Sequence, residues 1–132
     1  MTGSRIALDT NVASLLMADD AQAVRILRSF EEVALPVVVL GELYFGAAKS
    51  ARGTENHVRI VRLLLFCPVI GIDADSARCY ARVRPRLRQI GKPIPPNDMW
   101  IAALCIQHEL SIVTRDAHFE HVESLDVRTW QA

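Results

Sequence analysis

Residues 5–11 read Arg-Ile-Ala-Leu-Asp-Thr-Asn, a short apolar run that ends on an acidic residue. A short apolar run bounded by polar residues is typical of a strand that is buried on both faces. The aspartate at its end carries a charge beside the core, where an unpaired charge is costly. We therefore expect Asp9 to have a specific role, and Thr10-Asn11 to form the turn that follows it.

The rest of the chain alternates strand-like and helix-like patterns. Further apolar runs that predict strands cover residues 33–40, 69–72, 110–114 and 127–130. Amphipathic or apolar patterns that predict helices cover residues 21–32, 42–48, 58–65, 73–90 and 99–110. Asp73 is expected to cap the fourth of these helices, and Pro85 to kink it or split it in two.

Strands that alternate with helices imply a mostly parallel sheet covered on both faces. We therefore predict one α/β domain over residues 1–132, with three layers in the order α/β/α and a sheet of four to five strands. Ligands of such sheets bind in the crevice outside the carboxyl ends of the strands. Asp9, Glu42 and Asp116 each follow a predicted strand, and Asp98 begins a predicted helix. One crevice can thus gather all four carboxylates.

Carboxylates that share a pocket repel one another and raise each other's pKa unless a positive charge lies among them. Oxygen ligands of this kind suit Mg²⁺ or Mn²⁺, and such ions bind phosphates and activate water. The pattern therefore favours hydrolysis of phosphodiester bonds. Three of the four acids also have a structural alternative: Asp98 as a helix N-cap, Glu42 as a charge at a helix N-terminus, and Asp116 as a turn residue.

These acids lie in short motifs that together resemble those of PIN domains. The motifs are Ile6–Asn11, Glu42 with Gly46, Asp98–Ala103, and Val113–Asp116 with Phe119. Their order and spacing are similar to those of VapC-type toxins over essentially the whole chain. The resemblance implies a PIN-like fold and a Mg²⁺- or Mn²⁺-dependent endoribonuclease, the toxin of a toxin–antitoxin pair.

The resemblance also implies residue roles and partners. The acidic site would consist of Asp9, Glu42, Asp98 and Asp116, and further side chains would orient the carboxylates or waters: Thr10, Asn97 and Thr114. The partners would be an RNA substrate, a second copy in a homodimer, and a small antitoxin whose tail lies across the active-site groove. The alternative is a non-catalytic module with a PIN-like fold that binds a metal or a peptide.

The basic residues are the remaining candidates for RNA contacts. The chain has 15 basic and 15 acidic residues, so its net charge gives no argument for nucleic-acid binding. Arg78, Arg82 and Arg86 recur along one helix face, as a stripe for an RNA backbone would, and Arg115 lies beside Asp116. A solvated face, or pairing with surface acids, is the alternative for the stripe.

Three further features indicate ordinary structural roles. Cys67, Cys79 and Cys105 are far apart and have apolar neighbours, which favours buried free thiols. His118 and His121 lack the pattern of a catalytic zinc site, so we expect surface or loop histidines. No apolar run reaches the roughly 18 residues needed to span a bilayer, and we expect a cytosolic protein without membrane contact.

Overall fold

A sheet of five parallel strands forms the centre of the computed structural model, which describes residues 4–130. The strands are β1 Arg5–Leu8, β2 Glu32–Pro36, β3 Val69–Ile70, β4 Ser111–Thr114 and β5 Val127–Thr129. Their order is β3-β2-β1-β4-β5. The predicted parallel sheet is thereby confirmed, with the larger of the two expected strand numbers.

Six α-helices and one short 3-10 helix complete the part of the chain from residue 4 to 130. They are α1 Thr10–Met17, α2 Ala21–Arg28, α3 Val37–Lys49, α4 Gly53–Phe66, α5 Ala74–Gln89, α6 Pro96–Gln107 and the 3-10 helix Ala117–His121. Consecutive residues are buried along β1, β2 and β4, although successive side chains of a strand point to opposite faces. The helices therefore cover both faces of the sheet, as predicted.

The order of the strands reverses between β1 and β4. The chain builds β1, β2 and β3 towards one edge of the sheet, then returns to add β4 and β5 on the other side of β1. Leu8 pairs with Val113, and the Asp9 backbone N–H donates to the Val113 carbonyl at 3.1 Å. Crevices form at such switch points because the connections leave the neighbouring strands in opposite directions. Asp9 therefore lies at the natural ligand crevice of this sheet.

The strand predicted for residues 33–40 is too long, because β2 ends at Pro36 and α3 begins at Val37. Pro36 has φ −59° and no N–H to donate, and a proline of this geometry ends a strand and can precede a helix. A β-branched apolar run fits a buried strand and a buried helix equally well by pattern. Glu42 consequently lies in the second turn of α3, not at a helix start directly after a strand.

One other local prediction was wrong, and a second was wrong in one of its two alternatives. The turn expected at Thr10-Asn11 is the first turn of α1, because the Asp9 carboxylate accepts from the Thr10 backbone N–H at 2.8 Å and caps the helix. Of the two outcomes predicted for Pro85, a kink or a split, the split is excluded because α5 is one helix that continues through Pro85. Asp73 caps this helix as predicted, through a reciprocal pair of 3.0 Å hydrogen bonds with Ser76.

The three cysteines are buried and free, as predicted. Burial raises the pKa of Cys67 to about 11 and that of Cys105 to about 12, so these thiols are protonated and unreactive near neutral pH. Among the helices of residues 4–130, none has the length and apolar character required to cross a bilayer.

Candidate active site

Asp9 lies at the centre of the acidic site, where β1 ends and α1 begins. Its side chain is almost fully buried, with a relative exposure of 3%. One oxygen accepts from the Thr10 N–H at 2.8 Å, and the other accepts from the Thr114 hydroxyl at 2.7 Å. Burial raises the pKa of Asp9, and the negative charge of Asp116 raises it further, against the lowering effect of the two hydrogen bonds. The charged form of the Asp9 carboxyl is therefore destabilised in the folded protein.

Glu42 approaches the same region from α3. The Thr10 hydroxyl donates to Glu42 Oε1 at 3.0 Å, so Thr10 binds Asp9 through its backbone and Glu42 through its side chain. Burial raises the pKa of Glu42, and the charges of Asp98 and Asp9 raise it further. The charges of the other acids therefore act on Glu42, although α3 begins five residues earlier than the sequence predicts.

Asp98 lies in the first turn of α6. Burial raises the pKa of this carboxyl, and so do the charges of Asp9 and Asp116. His118 Nε2 lies 2.8 Å from Asp98 Oδ2, and this contact has the opposite effect on the pKa. Asp98 is therefore electrostatically coupled to two other acids and held by one histidine.

Asp116 follows β4 on the other side of Asp9. Its backbone N–H donates to the Thr114 hydroxyl oxygen at 2.9 Å, and the same hydroxyl donates to Asp9. Its charge raises the pKa of both Asp9 and Asp98. The four predicted acids thus come from β1, α3, α6 and the end of β4 to one crevice.

The donor set fits the charge and the chemistry of a Mg²⁺ or Mn²⁺ site, because hard carboxylate oxygens surround one region and repel one another. The ligand geometry is not preformed. Within residues 4–130, no three side chains of the types His, Cys, Asp and Glu stand ready around a common point. Asp9, Glu42 and Asp98 instead bond to Thr10, Thr114 and His118. Binding an ion would thus require side-chain rotation or bridging waters.

The other predicted site residues fall into two groups. Thr10 and Thr114 contact the acids directly, whereas exposed Asn97 makes no hydrogen bond to them among the described residues. Arg115 is exposed beside Asp116.

The stripe on α5 makes contacts elsewhere. Arg78 pairs with Asp75, Arg82 contacts the Cys79 sulfur at 3.7 Å, and Arg86 pairs with Glu123 at 3.2 Å. Arg78 and Arg86 therefore pair with surface acids, which was the alternative to a stripe for an RNA backbone.

His118 is the site residue that the sequence interpretation missed. It was expected to be a surface or loop histidine, but the 3-10 helix places it against Asp98, and the fully buried Phe119 anchors that helix. The ring centroids of His118 and Phe119 lie 5.0 Å apart. The usable signal was position: His118 follows Asp116 by two residues and directly precedes a large apolar residue that fixes the turn.

Known proteins resemble this chain in sequence and in fold. The PIN domain family matches residues 6–125. The toxin FitB of Neisseria gonorrhoeae is 34% identical, with 84% of this chain and 87% of FitB covered. The VapC ribonuclease Y4jK of Sinorhizobium fredii is 31% identical, with 92% of this chain and 94% of its own length covered.

Solved structures give the same result. VapBC2 from Rickettsia felis, bound to a DNA fragment from its promoter, has a TM-score of 0.87 and 25% identity, covering 96% of this chain and 98% of that chain. FitAcB from Neisseria gonorrhoeae has a TM-score of 0.80 and 31% identity, covering 92% and 95%. Ribonucleases of the VapC group generally depend on a divalent metal. With the matched family, the relatives and the shared fold in agreement, this chain belongs to the PIN-domain family.

Proposed function

We propose that this protein is an endoribonuclease that uses Mg²⁺ or Mn²⁺ to hydrolyse RNA phosphodiester bonds, and that it is the toxin of a toxin–antitoxin pair. We further propose that residues 1–132 act as one nuclease domain in the cytoplasm. The observation that carries the proposal is the convergence of Asp9, Glu42, Asp98 and Asp116 at the switch point of the sheet. The names of the relatives, a VapC ribonuclease and a FitB toxin, support the same activity.

In this proposal the four acids hold the cation, which supplies Lewis-acid stabilisation of phosphoryl oxygens and makes water a stronger nucleophile. Thr10 fixes Asp9 relative to Glu42, and Thr114 fixes Asp9 relative to the Asp116 backbone. In the hydrolysis, a water molecule loses a proton and its oxygen bonds to phosphorus, one P–O ester bond breaks, and the leaving alcohol takes up a proton. The raised pKa values of the Cys67 and Cys105 thiols argue against these two side chains as the nucleophile.

An antitoxin and a second copy of the chain are the proposed protein partners. Solved neighbours include VapBC and FitAB assemblies, which pair each of those toxins with an antitoxin. Large apolar side chains are exposed on α3 and α4, among them Phe45, Leu65 and Phe66. Exposed apolar patches of this kind favour protein–protein contacts.

An RNA cleavage assay tests the proposal. Purified protein should cut a structured RNA with Mg²⁺ or Mn²⁺, and excess EDTA should abolish the cut because the acids supply no nucleophile of their own. Asp116→Asn should remove activity, whereas Asp20→Asn, an acid at the start of α2, should not. Undiminished cleavage in EDTA, with contaminating nucleases excluded, would contradict the metal mechanism. Absence of cleavage under every condition would favour the non-catalytic binding module.

A further inference from the structure

A cavity of about 250 Å³ lies next to the acidic site, between α1, α3 and α4. Its lining includes Thr10 and Glu42, the two residues joined by a 3.0 Å hydrogen bond at the acidic cluster. The cavity and the cluster therefore share a wall. A polymer strand whose scissile bond lies at the acids has this cavity beside it.

The part of the cavity lined by α4 offers groups that suit a nucleotide. Arg59 lines it from α4, and its only ion pair within residues 4–130 is a 3.2 Å contact with Glu55, in which both side chains are partly exposed. Such pairs contribute little, so the guanidinium can exchange its carboxylate for a phosphate. Asn56 also lines the cavity, and its carboxamide makes no hydrogen bond to the described part of the chain. An amide of this kind can pair with the edge of an unstacked base.

Gly46 keeps this cavity open. It follows Glu42 by four residues on α3, so the two residues occupy the same helix face one turn apart. A Cβ built at Gly46 meets no atom within 4 Å, and thus packing does not require glycine here. Glycine is a poor helix former, which makes it a costly choice in the interior of a helix. The lack of a side chain is consistent with room for a ligand.

We propose that this cavity is a nucleotide subsite for single-stranded RNA, adjacent to the position of the scissile phosphate. Arg59 contacts the phosphate of the bound nucleotide, Asn56 contacts the edge of its base, and Gly46 leaves the space that it occupies. The base must be unpaired, because a paired base does not present its Watson–Crick edge. The inference rests on the proposed ribonuclease function.

A pair of glycine variants tests whether RNA binding needs the free space beside Gly46. Gly46→Gln fills the cavity, and Gly41→Gln is its control, since Gly41 lies on the same helix, is equally open and does not line the cavity. Both are made in an Asp9→Asn protein, so that binding of a short fluorescein-labelled single-stranded RNA can be followed by anisotropy without cleavage. Gly46→Gln should weaken binding about tenfold, the scale of one lost base contact, and Gly41→Gln should not. Neither should lower Tm, because glutamine is the better helix former.

A pair of arginine variants tests whether the guanidinium of Arg59 contacts a phosphate of the RNA. Arg59→Gln should reduce the slope of log Kd against log salt by about 0.7, the value for one phosphate contact on a single strand. Arg62→Gln is the control, because Arg62 lies on the same helix and lines only the neighbouring cavity, which Arg59 lines as well. Equal RNA binding by the two glycine variants, or equal salt slopes for the two arginine variants, would overturn the proposal.

The two proposals fail in different ways. If Gly46→Gln leaves RNA binding intact but weakens a complex with the antitoxin, the cavity is a protein site and the subsite is wrong. If the unmutated protein cuts no RNA while Gly46→Gln still weakens RNA binding, the nuclease function is wrong and the subsite stands.

Discussion

Two threonines connect the candidate site at the level of single residues. Thr10 binds Asp9 through its N–H and Glu42 through its hydroxyl, while Thr114 donates to Asp9 and accepts from the Asp116 backbone. Each hydroxyl or amide stabilises a carboxylate that burial destabilises. The hydrogen bonds of the two threonines therefore offset part of the cost of burying carboxylates close together.

Asp9→Asn should abolish RNA cleavage without lowering Tm in EDTA. Burial raises the pKa of Asp9, so folding makes the charged form of this carboxyl less stable than it is in the unfolded chain. A group with a raised pKa contributes stability below its ordinary pKa of 3.8 and loses it as the pH rises through the folded value. Each unit of such a shift corresponds to about 1.4 kcal/mol. The variant should therefore gain stability relative to the unmutated protein as the pH increases.

Thermal unfolding across that pH range, in EDTA, measures this difference. Asp20→Asn serves as the control and should show no such trend, because Asp20 lies outside the acidic crevice. Collapse of the Asp9→Asn fold at neutral pH would instead assign Asp9 a purely structural role.

His118→Ala should weaken Mn²⁺ binding roughly tenfold, because groups that hydrogen-bond to a ligating carboxylate hold it in place. The Asp98 side chain is 17% exposed and relies on the 2.8 Å contact with His118. His118→Gln places an amide nitrogen near the position of Nε2 and should recover most of the affinity. Isothermal titration calorimetry at one pH gives the comparison. Mn²⁺ affinity that is equally low in His118→Gln, or equally reduced by the exposed His121→Ala, would contradict this role.

At the level of elements, the junction of β2 and α3 determines where Glu42 lies. β2 ends at Pro36 and α3 follows without a loop, so the first turn, including fully buried Val39, packs into the core. Glu42 then lies one turn further and reaches Thr10 at the start of α1. The early helix start is thus what brings α3 to the acidic site.

Pro85→Ala should stabilise the fold by up to about 3 kcal/mol, the difference in helix propensity between the two residues in a helix interior. Pro85 is exposed within the continuous helix α5, where its ring displaces one backbone hydrogen bond. Chemical denaturation measures the change, and RNA cleavage should be unaffected because Pro85 lies outside the acidic crevice. A loss of stability would show that the packing of α5 on α6 depends on a bend at Pro85.

At the scale of the whole molecule, the four acids of the candidate site lie at one crevice, and large apolar side chains are exposed on α3 and α4. Tyr44 and Phe45 are exposed on α3, whereas the neighbouring Leu43 is buried in the core. A partner that combines a basic side chain with an apolar segment would satisfy both features. This is the chemistry that we expect of the antitoxin.

Inhibition by a co-expressed antitoxin should therefore weaken as Mn²⁺ is increased, since a basic side chain and the cation compete for the same carboxylates. RNA cleavage by the purified complex, measured over a Mn²⁺ titration, gives the result. The control is an antitoxin whose tail has every basic residue replaced by Ala. If it inhibits as strongly as the original, competition at the acidic crevice is excluded and the nuclease proposal is unaffected.

The sequence by itself determined the sheet, its parallel strands and the settings of three acids. Asp9 and Asp116 end apolar runs and Asp98 begins an apolar helix, and these are local patterns that a single chain displays. The same pattern assigned Glu42 to the crevice of the other three acids, and the resemblance to PIN domains supplied the two threonines. The three buried thiols followed from their apolar neighbours.

Only the tertiary structure decided the start of α3, the contact of His118 with Asp98, and the cavity between Glu42 and Arg59. The run Val37–Leu40 suits a strand and a helix equally, so packing against the core makes the choice. The other two features join residues far apart in the chain, and their distances depend on how separate elements dock. Such distances arise from the mutual packing of helices on the sheet, which no local pattern encodes.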